Sequence, residues 1–374
     1  MSKTQDTAYK KTNYNPVSAN VSITDIKVIT KQLGLDIDGE AANDYSGFSV
    51  SINALGDRVA IGAPYNDSNK GHTRIYQWNG LSWSQLGSDI NGEASGDNSG
   101  WCVSLNALGD RVAIGAISNT GVNGYASGHT RIYQLNGSSW EPMGEIDGEA
   151  AVDHSGYSVS LNALGDRVAI GAIANDAKGS NSGHTRIYQW NESSWDQLGL
   201  DIDGEAALDN SGCSVSLNAL GDRVAIGAIY NGANGINSGH TRIYQLTGTT
   251  WTQMGLDING KAPSNYSGSS VSLNALGDRV AIGAIHAADA KGYNSGNTII
   301  YQWNGSSWTQ LGSNIDGEAV NDNYGYSVSL NALGDRVAIG ATNNNGNGVY
   351  SGHTRIYKQE FYVQIGSYIL YLHT

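Results

Sequence analysis

The sequence predicts an all-β fold, a β-propeller of six four-stranded antiparallel blades. The phrase GDRVAIGA occurs six times in 374 residues, at intervals of about 56 residues, a length that suits a unit of several strands. Fifty glycines against four prolines, with few long apolar runs, indicate many short strands joined by tight turns. An open stack of such units would leave exposed edges, whereas closing them into a ring protects those edges.

The fourth copy shows how the strands of one unit are assigned. Residues 214–217, SVSL, alternate polar and apolar side chains and predict strand A, which the glycine-containing turn NALGD follows. Residues 223–228, RVAIGA, predict strand B, whose Ala and Gly face would let a neighbouring sheet approach closely. Residues 240–245, HTRIYQ, predict strand C, and WTQMG at 251–255 predicts strand D.

Two local signals place strand D next to strand C and at the outer edge. Asn-Gly before a Ser-Trp pair, at 79–80, 136–137 and 304–305, is the strongest short signal for a hairpin between strands C and D. Pro142 lies in strand D of the second copy, and proline cannot donate to a strand ladder. Strand D is therefore predicted to be the edge strand.

The number of blades depends on the two ends of the chain. Strands A to C occur six times, whereas the D-like phrase occurs seven times, including TKQLG at 30–34 and VQIGS at 363–367. One end therefore completes the sixth blade; alternatively, VSITDIKVIT at 21–30 and the tail build a partial seventh blade. We predict an N-terminal extension over 1–29, partly strand or disordered, and one propeller domain over 30–374. Its repeats are placed near 45–100, 101–156, 157–212, 213–268, 269–325 and 326–374.

Composition excludes several classes of partner. The formal net charge of −13 argues against nucleic acid and against an anionic membrane surface. No stretch approaches the length of a membrane span, so no membrane insertion is expected. The first residues lack the apolar core of a secretory leader, and localisation is left open. Cys102 and Cys213 occupy different repeat positions and are expected to be free thiols in a monomer.

The repeat resembles a known family. YSGFSVS at 45–51 followed by GDRVAIGAP at 56–64 is similar to the FG-GAP repeat of integrin α-subunit propellers, and most of all to its microbial variety, over roughly residues 30–367. The resemblance implies a propeller, usually seven-bladed, that serves adhesion and protein interaction, and it favours an extracellular or cell-surface location. The family's DxDxDG calcium loop is replaced by NALGD, whose single carboxylate cannot supply six to eight oxygens. No metal site is therefore predicted there.

One face of the ring is predicted to be acidic. Because strands alternate in direction, the B–C and D–A loops emerge on the same face, and the D–A loops hold more than half of the 34 acidic residues. The predicted function of this face is to bind a partner, with solvated loops as the plain alternative. The candidate binding residues are Asp36, Asp38, Glu40, Asp44, Asp147, Glu149, Asp201, Asp203, Glu205, Asp209, Asp316 and Glu318.

Two other repeated polar motifs are predicted to be structural. The histidines of GHTRIY lie a whole blade apart, so pairing with neighbouring carboxylates or covering a tryptophan edge is favoured over a metal or acid–base role. The Asp-Arg pair of GDR is predicted to fix a turn or an inter-blade contact. The histidines are His72, His129, His184, His240 and His353.

These patterns predict a binding protein and not an enzyme. Catalysis needs different groups that converge at one place, whereas repetition spreads equivalent groups around a ring. We therefore expect an adhesion or protein-interaction scaffold, with an unidentified protein or glycan partner and no cofactor. One alternative is a lectin-like propeller that binds calcium or carbohydrate through the DIDGE carboxylates and exposed aromatic residues. A propeller hydrolase is the remote alternative.

Overall fold

The protein is a six-bladed, all-β propeller, as the sequence predicts. The computed structural model describes residues 33–288, 291–346 and 351–359, and the backbone of 361–365 and 368–372. Each blade is an antiparallel sheet whose strands follow one another in chain order. The only helical segment in these ranges is α1 (Asn66–Asn69).

The strands of each blade begin about 56 residues after those of the blade before it. Blade 1 has β1 (Ser49–Ile52), β2 (Arg58–Ala63), β3 (His72–Trp78), β4 (Trp83–Gln85) and β5 (Ile90–Asn91). Blade 2 has β6 (Ser99–Leu105), β7 (Arg111–Ala116), β8 (His129–Asn136) and β9 (Ser139–Asp147). Blade 3 has β10 (Ser155–Leu161), β11 (Arg167–Ala172), β12 (His184–Trp190), β13 (Trp195–Gln197) and β14 (Ile202–Asp203).

The remaining three blades follow the same plan. Blade 4 has β15 (Ser211–Leu217), β16 (Arg223–Ala228), β17 (His240–Thr247), β18 (Thr250–Gln253) and β19 (Ile258–Asn259). Blade 5 has β20 (Ser267–Leu273), β21 (Arg279–Ala284), β22 (Asn297–Trp303), β23 (Trp308–Gln310) and β24 (Ile315–Asp316). Blade 6 has β25 (Tyr324–Leu330), β26 (Arg336–Ala341) and β27 (His353–Lys358), while β28 (Phe361–Ile365) and β29 (Tyr368–Leu372) pair with each other.

Strand D differs from its prediction in one respect. In four blades it is split into two short strands that pair with the same strand C, as β13 and β14 both pair with β12. The second piece is formed by Ile-Asp or Ile-Asn of the predicted DIDGE loop, so the loop begins only at the glycine of that motif. Blade 2 keeps a continuous β9, which is the edge strand, as Pro142 predicts.

Strand A lies at the centre of the ring and is linked from blade to blade. The backbone N–H of Leu217 donates to the hydroxyl of Ser160 in the blade before it (3.0 Å), and Leu273 donates in the same way to Ser216 (3.0 Å). The serines of the alternating SVSL pattern therefore tie neighbouring inner strands together.

The core lies between blades. Between blades 3 and 4, for example, Ala169 and Ile187 pack against Val224 and Ile226, and Trp251 covers the outer side of the cluster. Its indole N–H also donates to the carbonyl of Leu198 (2.7 Å). Because the hydrophobic groups of each blade are buried only against the next blade, stability depends on blade-to-blade contact.

The boundary between blades 6 and 1 differs from the other five. Successive A–B turns are joined by backbone hydrogen bonds that run from Ala54 round to Ala332. Among the described residues no such bond joins Ala332 back to Ala54, and no buried cluster joins these two blades. Val50 is 63% exposed, whereas its counterpart Val215 is 9% exposed. The predictions for 1–29 and for most of TKQLG concern residues outside the described ranges.

Candidate functional site

The B–C and D–A loops lie together on one face, as strand direction predicts. In blade 4 the side-chain amide of Asn231, in the B–C loop, donates to Asp209 Oδ2, in the D–A loop (3.0 Å). The same carboxylate accepts the backbone N–H of Ala206 (3.1 Å). Equivalent Asn–Asp pairs join the two loops at Asp44, Asp97, Asp153 and Asp322. We call the surface formed by these loops the loop face.

Two predicted binding residues therefore have a structural role instead. Asp44 and Asp209 are 5% and 4% exposed, and their carboxylates accept hydrogen bonds that hold the loops together. They are not available to a partner at the surface. Repetition of the DxSG pattern could not distinguish them from their exposed neighbours, because burial depends on the asparagine of a distant loop.

The other predicted acidic residues lie at or near the surface of the loop face. Three are half-buried: Asp147, Asp201 and Asp203. Seven are exposed: Asp36, Asp38, Glu40, Glu149, Glu205, Asp316 and Glu318. Few basic groups offset them; Lys178 lies 3.6 Å from Asp203, and Lys261 stands where other blades have glutamate.

The A–B turns on the opposite face are balanced in charge. Asn53 accepts the N–H groups of Asp57 and Arg58 and donates to the Asp57 carboxylate (2.8 Å), which fixes the A–B turn. Arg58 also donates to the carbonyl of Gly109 in the next blade (3.1 Å). The prediction that GDR fixes a turn and an inter-blade contact is confirmed. Each A–B turn thus holds one aspartate, bound by asparagine, and one arginine, which in blades 1 to 5 donates to the next blade.

The GHTRIY histidines of blades 1 to 4 lie beneath the loop face beside carboxylates from two other segments, whereas His353 lies 3.6 Å from Glu318. His184 Nδ1 is 3.8 Å from Glu149 Oε2 and 3.8 Å from Asp201 Oδ2. Arg186 contacts the other oxygen of Glu149 (3.1 Å) and donates to the carbonyl of Asp147 (2.8 Å). The predicted pairing with a carboxylate is confirmed for the arginine, whereas the histidine lies beside the carboxylates without a hydrogen bond to them. The arginine lies over Tyr188 and not over a tryptophan.

The same cluster recurs in blades 1, 2 and 4 with one substitution. Blade 2 has Glu145 in place of the aspartate. Burial is the main cause that lowers the pKa of these histidines, to about 4 for His129 and His240. The imidazoles are therefore neutral at physiological pH. The three-residue clusters are Glu40–His72–Asp89, Glu93–His129–Glu145, Glu149–His184–Asp201 and Glu205–His240–Asp257.

Aromatic side chains gather at the loop-face end of strand A. The ring centroids of Phe48 and Trp101 are 4.7 Å apart, and those of Trp101 and Tyr157 are 5.8 Å apart. These residues occupy the same repeat position in three successive blades, and Tyr326 occupies it in blade 6. Because strand A lies nearest the axis, these side chains surround the mouth of the ring. Sequence analysis noted exposed aromatics but not this convergence.

The two cysteines are free thiols, as predicted. Cys102 takes the place of a linking serine, and its sulfur accepts the N–H of Val159 (3.3 Å). Cys213 takes the place of an axial aromatic residue, and burial raises its pKa to about 11. Both cysteines therefore occupy positions that have a packing or hydrogen-bonding role in the other blades.

Comparison with known proteins identifies the fold. A candidate 6-phosphogluconolactonase from Bacteroides uniformis has a TM-score of 0.57 at 9% sequence identity, covering 83% of this chain and 80% of that one. Hydrazine synthase from Kuenenia stuttgartiensis has a TM-score of 0.53 at 9% identity, covering 84% and 78%. No protein-family model and no curated protein matches the chain. The likeness shows a β-propeller, and the FG-GAP resemblance stays a prediction.

Proposed function

We propose that the protein is a non-enzymatic interaction scaffold, a β-propeller that binds a basic protein partner through its loop face. The charge difference between the loop face and the A–B turns carries this proposal. Each A–B turn holds one aspartate and one arginine, which balance in charge, whereas the D–A loops expose carboxylates such as Asp36, Asp38 and Asp316. A surface of one sign attracts a partner of the opposite sign and speeds its association.

The arginines of blades 1, 3 and 4 do not cancel this charge at the surface. The side chains of Arg74, Arg186 and Arg242 are only 7 to 8% exposed, beneath the glutamates that they contact. A partner that approaches the face therefore meets the carboxylates first. The contacts with Arg and His also hold each glutamate in place, which lowers the entropy cost of binding.

The variable B–C loops suit a role in partner selection. They differ between copies, as PYNDSNKG and ISNTGVNGYASG show, while the strands that carry them are nearly identical. Binding residues commonly occupy loops that a rigid scaffold positions. The resemblance to FG-GAP propellers supports adhesion or protein interaction. None of the described helices is long and apolar enough to cross a membrane.

Site-specific photo-crosslinking in an extract of the native source tests the proposal. A photoreactive amino acid at Tyr125, 73% exposed in a B–C loop, is expected to capture one partner. The same group at Leu220, 70% exposed in an A–B turn, is the matched control and is expected to capture nothing specific. Equal capture at both positions, or capture only at Leu220, would refute the assignment of the binding face.

Carbohydrate binding is a second candidate, which the axial aromatic cluster favours. Phe48, Trp101 and Tyr157 present adjoining ring faces at the mouth of the ring, and flat apolar faces beside polar groups are typical of ligand sites. A glycan array probed with the wild type and with Trp101→Ala tests it. Loss of a glycan signal in that variant, but not in Trp190→Ala at the far end of strand C, supports this candidate. An empty array for the wild type would exclude it.

A further inference from the structure

We propose that the Glu–His–Asp clusters of blades 1, 3 and 4 are binding sites for a divalent transition-metal ion of the zinc class. This inference does not depend on the proposed interaction function. In blade 3 the ligands are Glu149 Oε2, His184 Nδ1 and Asp201 Oδ2. Glu40, His72 and Asp89 form the equivalent set in blade 1, and Glu205, His240 and Asp257 form it in blade 4.

The three ligand atoms are spaced for a small cation. In each cluster they lie within 4.8 Å of one another, and in blade 3 the nitrogen is 3.8 Å from each oxygen. Zinc bonds of about 2.0–2.1 Å in a tetrahedron place ligand atoms roughly 3.3 Å apart. The two nitrogen–oxygen distances would have to shorten by about half an ångström to complete three bonds, with the carboxylates closing on each other as the ion binds, and water would supply the fourth.

The buried histidine nitrogens are the independent sign of a missing ligand. His184 and His240 are each 1% exposed, and neither ring nitrogen of either residue has a hydrogen-bond partner. His72 is also 1% exposed, and its Nδ1 has no such partner. Buried polar atoms without a partner are rare because they lose hydration without compensation. In all three, Nδ1 points toward two carboxylates at a distance too long for a hydrogen bond.

Neighbouring side chains orient the carboxylates toward the histidine. Gln197 donates to Asp201 Oδ1 (2.6 Å), which leaves Oδ2 facing His184. Arg186 contacts Glu149 Oε1, which leaves Oε2 facing the same nitrogen. Outer partners of this kind fix metal ligands in productive orientations. The cluster holds two carboxylates and one guanidinium, so it carries a net negative charge that a bound cation would neutralise.

Blade 5 is a natural control within the chain. All three ligand positions are changed there, to Lys261, Asn297 and Asn314. The Lys261 ammonium lies 2.9 Å from Asn314 Oδ1 and 3.0 Å from Gln310 Oε1, which stand where blade 3 has Asp201 and Gln197. A fixed cation thus contacts the aspartate position of a blade in which all three ligand positions are changed. Joint replacement indicates that the three residues act together.

The ligand types select the class of metal. Imidazole nitrogen with carboxylate oxygen suits zinc and neighbouring transition metals, whereas calcium and magnesium prefer oxygen alone. Blade 2 has the set Glu93, His129 and Glu145, in which the longer side chain of glutamate replaces that of aspartate. The distance from His129 Nδ1 to Glu93 is 4.0 Å. We expect this cluster to bind the same ion more weakly.

Metal titration of the untagged full chain tests the proposal. After EDTA treatment, equilibrium dialysis against micromolar Zn²⁺ is expected to give one bound ion for each of the three clusters, with the blade 2 cluster filling last. His184→Asn should remove one equivalent, and the fold should tolerate it because Asn297 occupies this position in blade 5. His154→Asn, which lies outside the clusters, is the matched control and should leave the number unchanged.

A gain-of-site variant distinguishes metal binding from a purely structural role. The triple change Lys261→Glu, Asn297→His and Asn314→Asp restores the ligand set in blade 5 and should add one equivalent. With Co²⁺ as the probe, each occupied site should add visible absorption typical of a low-coordinate ion. No bound Zn²⁺ in the wild type would overturn the proposal, as would an unchanged number in both His184→Asn and the triple variant. Tighter binding of Ca²⁺ than of Zn²⁺ would also overturn it.

Discussion

Replacement of Gly227 by alanine is expected to destabilise the propeller strongly. Gly227 lies in β16, and its Cα faces the backbone of Gly268 at the start of blade 5. A Cβ at this position would overlap the carbonyl oxygen of Gly268 and lie 3.0 Å from its carbonyl carbon. Strand B can approach the next blade this closely only without a side chain.

The size of the effect follows from that geometry. The overlap with the Gly268 oxygen is the tighter contact, and an ordinary carbon–oxygen approach of about 3.3–3.6 Å requires the two blades to separate by roughly 1 Å or more there. Such overpacking of a well-packed core typically costs about 1–3 kcal/mol. For a chain of this size the melting temperature should fall by roughly 1–4 °C.

Gly340 provides the matched control. It is the equivalent residue of β26, but at the boundary between blades 6 and 1 its Cβ would meet only side-chain and backbone atoms of Ser327 in its own blade. Gly340→Ala should therefore cost far less than Gly227→Ala. Calorimetry and urea denaturation of both variants provide the measurement. Equal loss of stability in the two would refute this account of blade packing.

Three further predictions concern buried groups. With EDTA present, the free energy of unfolding should be highest above about pH 6.5 and should fall toward pH 4 by roughly 2–3 kcal/mol for each of His129 and His240. The reason is that burial lowers the pKa of both residues to about 4 in the folded state, below the unfolded value. Urea titrations that give the same free energy across this pH range would contradict the prediction. Asp209→Ala should cost about 1–3 kcal/mol because it leaves the buried side-chain amide of Asn231 without its acceptor and frees the backbone N–H of Ala206, whereas Asp38→Ala should cost under about 0.5 kcal/mol; equal urea midpoints would contradict this. Burial that raises the pKa of Cys213 to about 11 should slow its reaction with a disulfide reagent at pH 8 about a hundredfold relative to an ordinary thiol, and prompt reaction in the folded protein would contradict that prediction.

Much of the blade was predictable because its repeat is so regular. Strand B at 223–228 was predicted with the bounds observed for β16, and strand A with the correct end at Leu217. Residue type alone predicted three further features. These are the close approach of a neighbouring blade to the Ala and Gly face of strand B, the edge position of Pro142 and the role of GDR in the turn. Each of these features depends on residues close in sequence or on a pattern repeated in every copy.

The site could be predicted only in part because its contacts cross segments. Asp44 and Asp38 look alike in sequence, yet an asparagine 22 residues further along the chain buries only the first. The cluster around His184 joins residues of the preceding loop, strand C and the end of strand D, and no single motif contains all three. Periodicity also could not show that the boundary of blades 6 and 1 differs from the rest.

The most direct test of the central claim, that the acidic loop face binds a basic partner, is selection from a random-peptide display library on the purified protein. Two baits should be compared: Asp36→Asn/Asp38→Asn/Asp316→Asn on the loop face, and Glu141→Gln/Glu192→Gln/Asp196→Asn away from it, which removes the same charge. The account predicts that the wild type and the second bait select Lys- and Arg-rich peptides whose affinity falls steeply with salt, while the first bait retains few of them. Peptides without basic residues, or equal binding to both baits, would contradict it.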